Sequence, residues 1–564
     1  MPDLYQELCK LADSDMYPFH MPGHKRNLEG TPMKGAFRCD ITEIDNFDNL
    51  HDASGIILDA QKRANELYGA DETFFLVNGS TSGVLSALSA VVGENQTVLA
   101  ARGSHKSFYH AVYLRHLNVQ YLPYKIDARY DIPDVYSARD IEMALRGIDN
   151  ADDIKAVFIT SPTYEGKCSD IRGIAEVCHR YRIPLIVDAA HGAHFFSRKR
   201  VQEASDSLSN VYKYESPTNA PEDEDKVRKA YSDEFGGDGT YQYFDCRYIS
   251  TPENAVSQGA DIVIHSVHKT LPSMTQTALL HVQGDLVDRG RLKRFLRIYQ
   301  SSSPSYVLMS SIDLCVKEMM ENKEAYIEKL LEYRNRIQDG TAKCRYIEVP
   351  GKDVIADAAK ILISVKNATM TGQELYDILR EEYKLQLEMA GETYVLAIIT
   401  GWDKEEGIDR LIKAICEIDL RIADKTSKAQ DNCSDGQCMT EVNSKDNESV
   451  ESKHGNISQK EMKASDDENI NVERASSVSV MELPQKRLSL SEAWDAECEK
   501  VSIFEAEGRI AGEFINLYPP GIPIIVPGEV ISEGVIAKMD SFLKDGLNVQ
   551  GIDDRKEVIC VRQK

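Results

Sequence analysis

Apolar side chains in this chain come in short unbroken runs rather than in alternation with polar ones. The runs "TFFLV", "TVLAAR", "KAVFIT", "IPLIVD" and "ADIVIH" each give way to a small polar cluster: "NGSTSG", "GSHKS", "SPTYEG", "AAHGAH" and "SVHKT". Continuous apolar runs of this length suit strands buried on both faces. Helical periodicity separates them, through Ala60, Ala64 and Leu67 ahead of Gly69, through Val84, Leu85, Leu88 and Val91, and across "GIAEVCHRY". The alternation predicts an α/β fold with a mainly parallel sheet and helices on both faces. Each polar cluster then falls at the C-terminal end of a strand, where such sheets bind ligands.

The pattern divides the chain. Residues 1–54, rich in Pro, Gly, His and Asp, read as a loop-like N-terminal arm, and 55–310 as the large domain. An acidic, tyrosine-rich insertion at about 198–250 interrupts the large domain. A long amphipathic helix from Ser311, with Ile312, Val316, Met319, Ile327, Leu330 and Leu331 on one stripe, leads into a smaller α/β domain over 311–422. Residues 423–486 carry few large apolar side chains among Ser, Asn, Asp, Glu and Lys, which predicts a disordered acidic linker. Order is expected again over 487–564, a compact C-terminal domain.

Charge and cysteine content narrow the function. A net charge of -25 over 564 residues lacks the basic footprint of a nucleic-acid binder. No stretch approaches the roughly 18 to 20 apolar residues of a membrane span. The 12 cysteines form no CxxC pair and no metal-like Cys/His spacing, and no apolar leader stands near Tyr5. The expectation is a reduced, cytoplasmic protein with no metal site and no membrane or nucleic-acid partner.

Lys269, in "DIVIHSVHKTLPSMTQ", directs attention to the strand ends. A lysine held there is partly desolvated, which favours the neutral amine and makes it a nucleophile toward an aldehyde. Pyridoxal phosphate is such an aldehyde, and it also needs an acid at its ring nitrogen, phosphate donors and a flat group against the ring. Gly79, Ser80 and Thr81 open a helix, where free N–H groups and the helix dipole favour an anion. Asp188 ends the strand "PLIVD" and offers the acid; His105 in "GSHKS" offers the flat group; Ser266 and His268 add phosphate contacts beside Lys269.

On "FHMPGHK", "LVNGSTSG", "RGSHKS", "SPTYEG", "VDAAHGAH", "SVHKTLPSMTQ" and "YPPGIPIIVPGE", the chain resembles the fold type I pyridoxal phosphate enzymes of the ornithine/lysine/arginine decarboxylase family, in the short form without an N-terminal wing domain. The resemblance implies an aspartate aminotransferase-like large domain, a smaller α+β domain and a C-terminal domain. It implies that Lys269 forms the Schiff base with pyridoxal 5'-phosphate, that Asp188 pairs with the ring nitrogen and that His105 stacks on the ring. Ser80, Thr81, Ser266 and His268 would hold the phosphate, with His191 near the cofactor. Ala189 departs from the family pattern, which commonly has an acidic residue there. A basic substrate needs a carboxylate partner; the family motif suggests Glu529, with Glu505 as a second candidate.

The implied function is decarboxylation of L-arginine, L-lysine or L-ornithine to the corresponding amine and CO2, with arginine favoured by resemblance to the short members. The resemblance also implies a homodimer or higher homo-oligomer. Two alternatives share Lys269 and Asp188: another fold type I enzyme such as an aminotransferase, and a catalytically impaired regulator that binds the cofactor.

Overall fold

The computed structural model describes residues 3–18, 20–22, 24–25, 33–148, 150–196, 251–434, 478–518 and 521–563. The insertion expected at about 198–250 lies outside the described residues, as do residues 435–477 of the expected linker.

The first nine strands are β1 (Glu72–Leu76), β2 (Thr97–Ala100), β3 (Asn118–Tyr121), β4 (Tyr124–Asp127), β5 (Ile132–Pro133), β6 (Ile154–Thr160), β7 (Leu185–Asp188), β8 (Ile262–His265) and β9 (Ala278–Val282). Seven of them form the central sheet in the order β1-β9-β8-β7-β6-β2-β3. Only β9 runs against its neighbours. The sheet is thus mainly parallel; its central strands β6, β7 and β8 are buried along nearly their whole length because helices cover both faces, while the edge strand β3 is exposed at alternate residues. Register brings Thr160, Asp188 and Ile264 level across β6, β7 and β8, so the polar clusters that follow these strands gather on one edge.

Helix α1 (Leu4–Ala12) and helix α2 (Lys34–Cys39) correct the reading of the N-terminal arm as loop-like. Asp3 caps α1 through Gln6 N–H, and Leu4 and Leu8 are buried in one core with helix α3 (Ile56–Tyr68). The arm holds to the large domain through Asp313, which accepts from Leu4 N–H and binds Arg63 at 2.7 Å.

Helix α4 (Gly79–Val91) starts directly after β1. Gly83 lets it lie close on the sheet, since a Cβ there would meet Leu76 Cδ1 at 2.6 Å and Ile264 Cγ2 at 3.1 Å. That approach sets the start of α4 beside the ends of β7 and β8.

The long amphipathic helix runs over Tyr306–Thr341, starting five residues before the expected Ser311. Its first half packs into the core of the large domain through Met309, Ile312 and Val316, and its second half into that of the smaller domain through Leu330, Tyr333 and Ile337. The smaller domain carries β10 (Lys360–Ser364), β11 (Met389–Ala390) and β12 (Tyr394–Ile398), antiparallel in the order β10-β12-β11.

The limits of the expected linker are corrected at both ends. A helix continues over Glu405–Ser434, past residue 423, and β13 (Val478–Met481) forms a sheet with β4 and β5 before residue 486. Alternation in "VSVM" is enough to add a strand to an available edge, although the surrounding composition is polar. The C-terminal part pairs β14 (Cys498–Ser502) with β18 (Glu557–Val561), and β15 (Ile515–Leu517) with β16 (Ile522–Ile525) and β17 (Val549–Gln550), around a core with Ile503, Ile525, Met539 and Cys560.

Candidate active site

The sheet edge opens into a cavity of about 380 Å³. Its wall contains Gly79, Ser80 and Thr81 from the start of α4, and His105 from the end of β2. Asp188 and His191 enter from the end of β7, and Ser266, His268 and Lys269 from the end of β8. All nine residues expected at a cofactor site therefore meet in one place.

Each is positioned by local backbone structure. The N-cap of α4, Asn78, makes no side-chain cap, which leaves the first N–H groups of the helix to the cavity. Ser266 Oγ donates to Ser80 Oγ at 2.9 Å, joining the hydroxyls of β8 and α4. His268 Nδ1 lies 2.9 Å from the Thr277 carbonyl oxygen. His105 caps helix α5 (Lys106–Leu114), accepting at Nδ1 from Ser107 N–H at 3.2 Å. Burial, with Lys269 and Lys106 nearby, pushes the His105 imidazole down to about 3, so it is neutral at working pH.

Asp188 is buried and accepts one bond from Ala190 N–H at 3.1 Å. Burial pushes its carboxyl above the usual range, partly offset by Lys269. A buried carboxylate in this situation suits a cationic N–H partner. Ala189 turns the other way, into the core under the sheet with Val187 and Val263, while Asp188 and Ala190 line the cavity.

Lys269 Nζ lies 2.9 Å from His191 Nε2. Burial lowers its pKa from the ordinary lysine value, against the pull of Asp188 and Glu388. Burial and the neighbouring lysines hold His191 well below the usual imidazole range. Together these groups can bind an anion at α4, a cationic ring nitrogen at Asp188 and an aldehyde at Lys269, and that donor set fits pyridoxal phosphate.

Four further groups were not anticipated from the sequence. Lys360, the first residue of β10, is fully buried with Nζ 2.7 Å from His191 Nδ1. The signal was present in "KILISV", where a lysine opens a wholly apolar strand. Tyr164 sets its ring edge-on to His191 at 4.6 Å between centroids, and its hydroxyl bonds Glu388. Glu388 and Glu165 line the cavity, and Glu165 is buried with Tyr394 Oη at 3.1 Å. Glutamates and tyrosines are too common in this chain for sequence to single these out.

The two carboxylates expected to meet the substrate are not among the residues lining this cavity. Glu529 is buried against Arg102 at 2.9 Å and also accepts from Val526 N–H. Glu505 is exposed in a short 3-10 turn, Ile503–Glu505. Within one chain Glu529 ties the C-terminal part to β2, and Glu505 faces solvent.

Residues 2–215 and 239–410 match the major domain of the Orn/Lys/Arg decarboxylases, and 474–546 match their C-terminal domain. The chain belongs to the Orn/Lys/Arg decarboxylase family. Arginine decarboxylase of Bacillus subtilis (strain 168) is 28% identical over 98% of this chain and 95% of its own length. Lysine decarboxylase LdcA of Pseudomonas aeruginosa is 21% identical over 96% of this chain and 75% of its own. The crystal structure of the Francisella novicida lysine decarboxylase superposes with a TM-score of 0.69 at 17% identity, covering 100% of this chain and 81% of that one. Family membership makes this decarboxylase a carboxy-lyase, and its fold is the fold type I architecture expected from the sequence. The near-complete coverage of the Bacillus relative accords with the short form. Among the described residues, no helix is long and apolar enough to cross a membrane.

Proposed function

We propose that this protein decarboxylates L-arginine with pyridoxal 5'-phosphate, as a cytoplasmic homodimer or higher homo-oligomer. The observation that carries the reading is the meeting of Lys269, Asp188 and the Ser80–Ser266 hydroxyl pair around one cavity. The choice of arginine draws on the Bacillus relative, which matches over nearly the whole chain.

When bound, pyridoxal phosphate supplies an electron-withdrawing ring that takes the electron pair released as the Cα–carboxylate bond breaks. Lys269 is the amine that holds the aldehyde, and its lowered pKa keeps it reactive. The N-terminus of α4 with Ser80, Thr81 and Ser266 would hold the phosphate, with His268 on the same wall. Asp188 would hold a proton on the ring nitrogen. His105, neutral and flat, would supply the planar group against the ring. Tyr124, Tyr136 and Tyr164 line the cavity and would give the substrate carboxylate, whose charge is lost as CO2 leaves, a less solvated place. Lys269 Nζ, once it has taken the proton that the substrate ammonium gives up, would deliver that proton to Cα.

Glu388 replaces Glu529 as the partner for the cationic tail of the substrate. Of the other acids on the wall, Asp134 is already paired with Lys167 at 2.5 Å, and Glu165 is buried with Tyr394. Glu388 is solvent-exposed at the cavity wall.

The test is to incubate purified protein and pyridoxal phosphate separately with arginine, lysine and ornithine and to follow agmatine, cadaverine and putrescine by mass spectrometry. Agmatine as the dominant product is expected. A dominant cadaverine or putrescine would overturn the choice of arginine, and absence of all three would overturn the reaction.

A further inference from the structure

The steps above leave Lys360 without a task. It is fully buried at the head of an apolar strand, where an ammonium is costly unless its charge is used. Its Nζ lies 2.7 Å from His191 Nδ1, and His191 Nε2 lies 2.9 Å from Lys269 Nζ. His191 therefore bridges two lysines with its two ring nitrogens.

A neutral imidazole has one N–H and one lone pair, so the bridge has two arrangements. In the first, the Lys360 ammonium donates to Nδ1, and Nε2–H donates to the lone pair of an uncharged Lys269. In the second, the Lys269 ammonium donates to Nε2, and Nδ1–H donates to an uncharged Lys360.

The surrounding charges choose between them. His105 and His194 act on His191 itself, and both raise the cost of charging it. Asp188 and Glu388 act on Lys269, and Asp357 and Glu165 join Glu388 on Lys360. Asp357 decides the matter because it is fully buried and fixed, accepting from Ala359 N–H at 2.9 Å and lying 2.8 Å from His194 Nε2. Against its burial, His194 and Lys360 hold Asp357 below the ordinary carboxyl range. Asp188 is pushed the other way by burial and is the acid assigned to the cofactor ring. The positive charge therefore belongs beside Asp357, on Lys360.

We propose that Lys360 is a positioning residue that locks His191 in its Nε2–H tautomer, so that this N–H donates to Lys269 Nζ and holds Lys269 as a free amine. The proposal rests on reading Lys269 as the amine that takes the aldehyde. In that condensation the Nζ lone pair attacks the aldehyde carbon, and the two amine hydrogens leave with the aldehyde oxygen as water. Only the unprotonated amine can begin it.

The wild-type apoenzyme, labelled with 15N-histidine, tests the tautomer directly, with His191 assigned by the signals missing in His191→Gln. A proton on Nε2 and a lone pair on Nδ1 are expected; a proton on Nδ1 would overturn the proposal. The second measurement is the rate at which apoenzyme takes up pyridoxal phosphate, followed by absorbance across pH. Loss of one charge-assisted hydrogen bond in Lys360→Met should slow uptake about tenfold at pH 7. Burial pushes Lys360 down to about 8, so the gap should close above that pH as wild-type Lys360 loses its own proton. Lys360→Arg should restore the wild-type rate at pH 7. Unchanged uptake in Lys360→Met at pH 7 would overturn the proposal. If the wild-type apoenzyme took up no cofactor at all, the cofactor reading would fall, and the role given to Lys269 with it.

Discussion

Arg102 and Glu529 meet at 2.9 Å with both side chains buried, joining the end of β2 to the C-terminal "PGE" across 427 positions of chain. Removing one partner of a buried pair leaves the other charged and unpaired, which costs about 3–5 kcal/mol. Glu529→Ala is thus expected to lower the thermal midpoint markedly while KM for substrate in the folded fraction stays near wild type. Replacing both residues by Met should recover most of the stability. A large KM increase without destabilisation would return Glu529 to the substrate site.

Lys269→Ala should remove the absorbance band of bound cofactor. Turnover should fall by on the order of 10⁶, the scale on which loss of a covalent nucleophile acts. Retained turnover in a steady-state amine assay would remove Lys269 from the chemistry.

Asp188→Asn keeps the shape of the site and removes the charge proposed to keep the ring nitrogen protonated. The expected loss is about 10²–10³-fold in kcat, comparable to removal of one preorganised electrostatic partner. Saturating cofactor in the assay separates this from weakened cofactor binding. A kcat within about twofold of wild type would exclude the assigned role.

Glu388→Gln should act on KM for arginine, raising it about 10- to 100-fold through loss of a charge-assisted contact, with kcat changed less. A larger loss in kcat than in KM would place Glu388 in the chemical step, through Tyr164 and His191, rather than in recognition of the cation.

Buried neutral histidines should make the fold sensitive to acid. His105 and His265 are pushed down to about 3 by burial, and His191 and His281 also lie well below the ordinary value. In the unfolded chain these groups bind protons near pH 6.5, whereas in the folded chain they do not. Stability is therefore complete above about pH 6.5 and falls as pH drops from there toward 3, because unfolding takes up protons. Guanidinium midpoints measured between pH 7 and 4 should fall steadily, and His281→Gln should flatten the slope. A midpoint constant over that interval would contradict the burial of neutral imidazoles.

The strand ends carried most of the legible information. Lys269, Asp188, His105 and Ser80 each follow an apolar run, and runs of that kind suit strands buried on both faces, so their C-terminal ends had to share one edge of a parallel sheet. The short α1 was harder to read because its pattern, Leu4 and Leu8 with Leu11, is complete only against the long helix that covers it. Strand β13 was hidden in a polar stretch because its pairing partner, β4, lies far away in sequence.

What the sequence by itself determined was the fold class and the group of residues after the strands, because local apolar patterning fixes strands and the rules of parallel sheets fix which ends coincide. Tertiary structure alone decided which charges meet. Glu529 meets Arg102 away from the cavity lining, and Lys360 comes from β10 to the far side of His191. A carboxylate or an ammonium has no direction in sequence, and its partner is whatever opposite charge or hydrogen-bonding group packing leaves within about 3 Å when water is excluded.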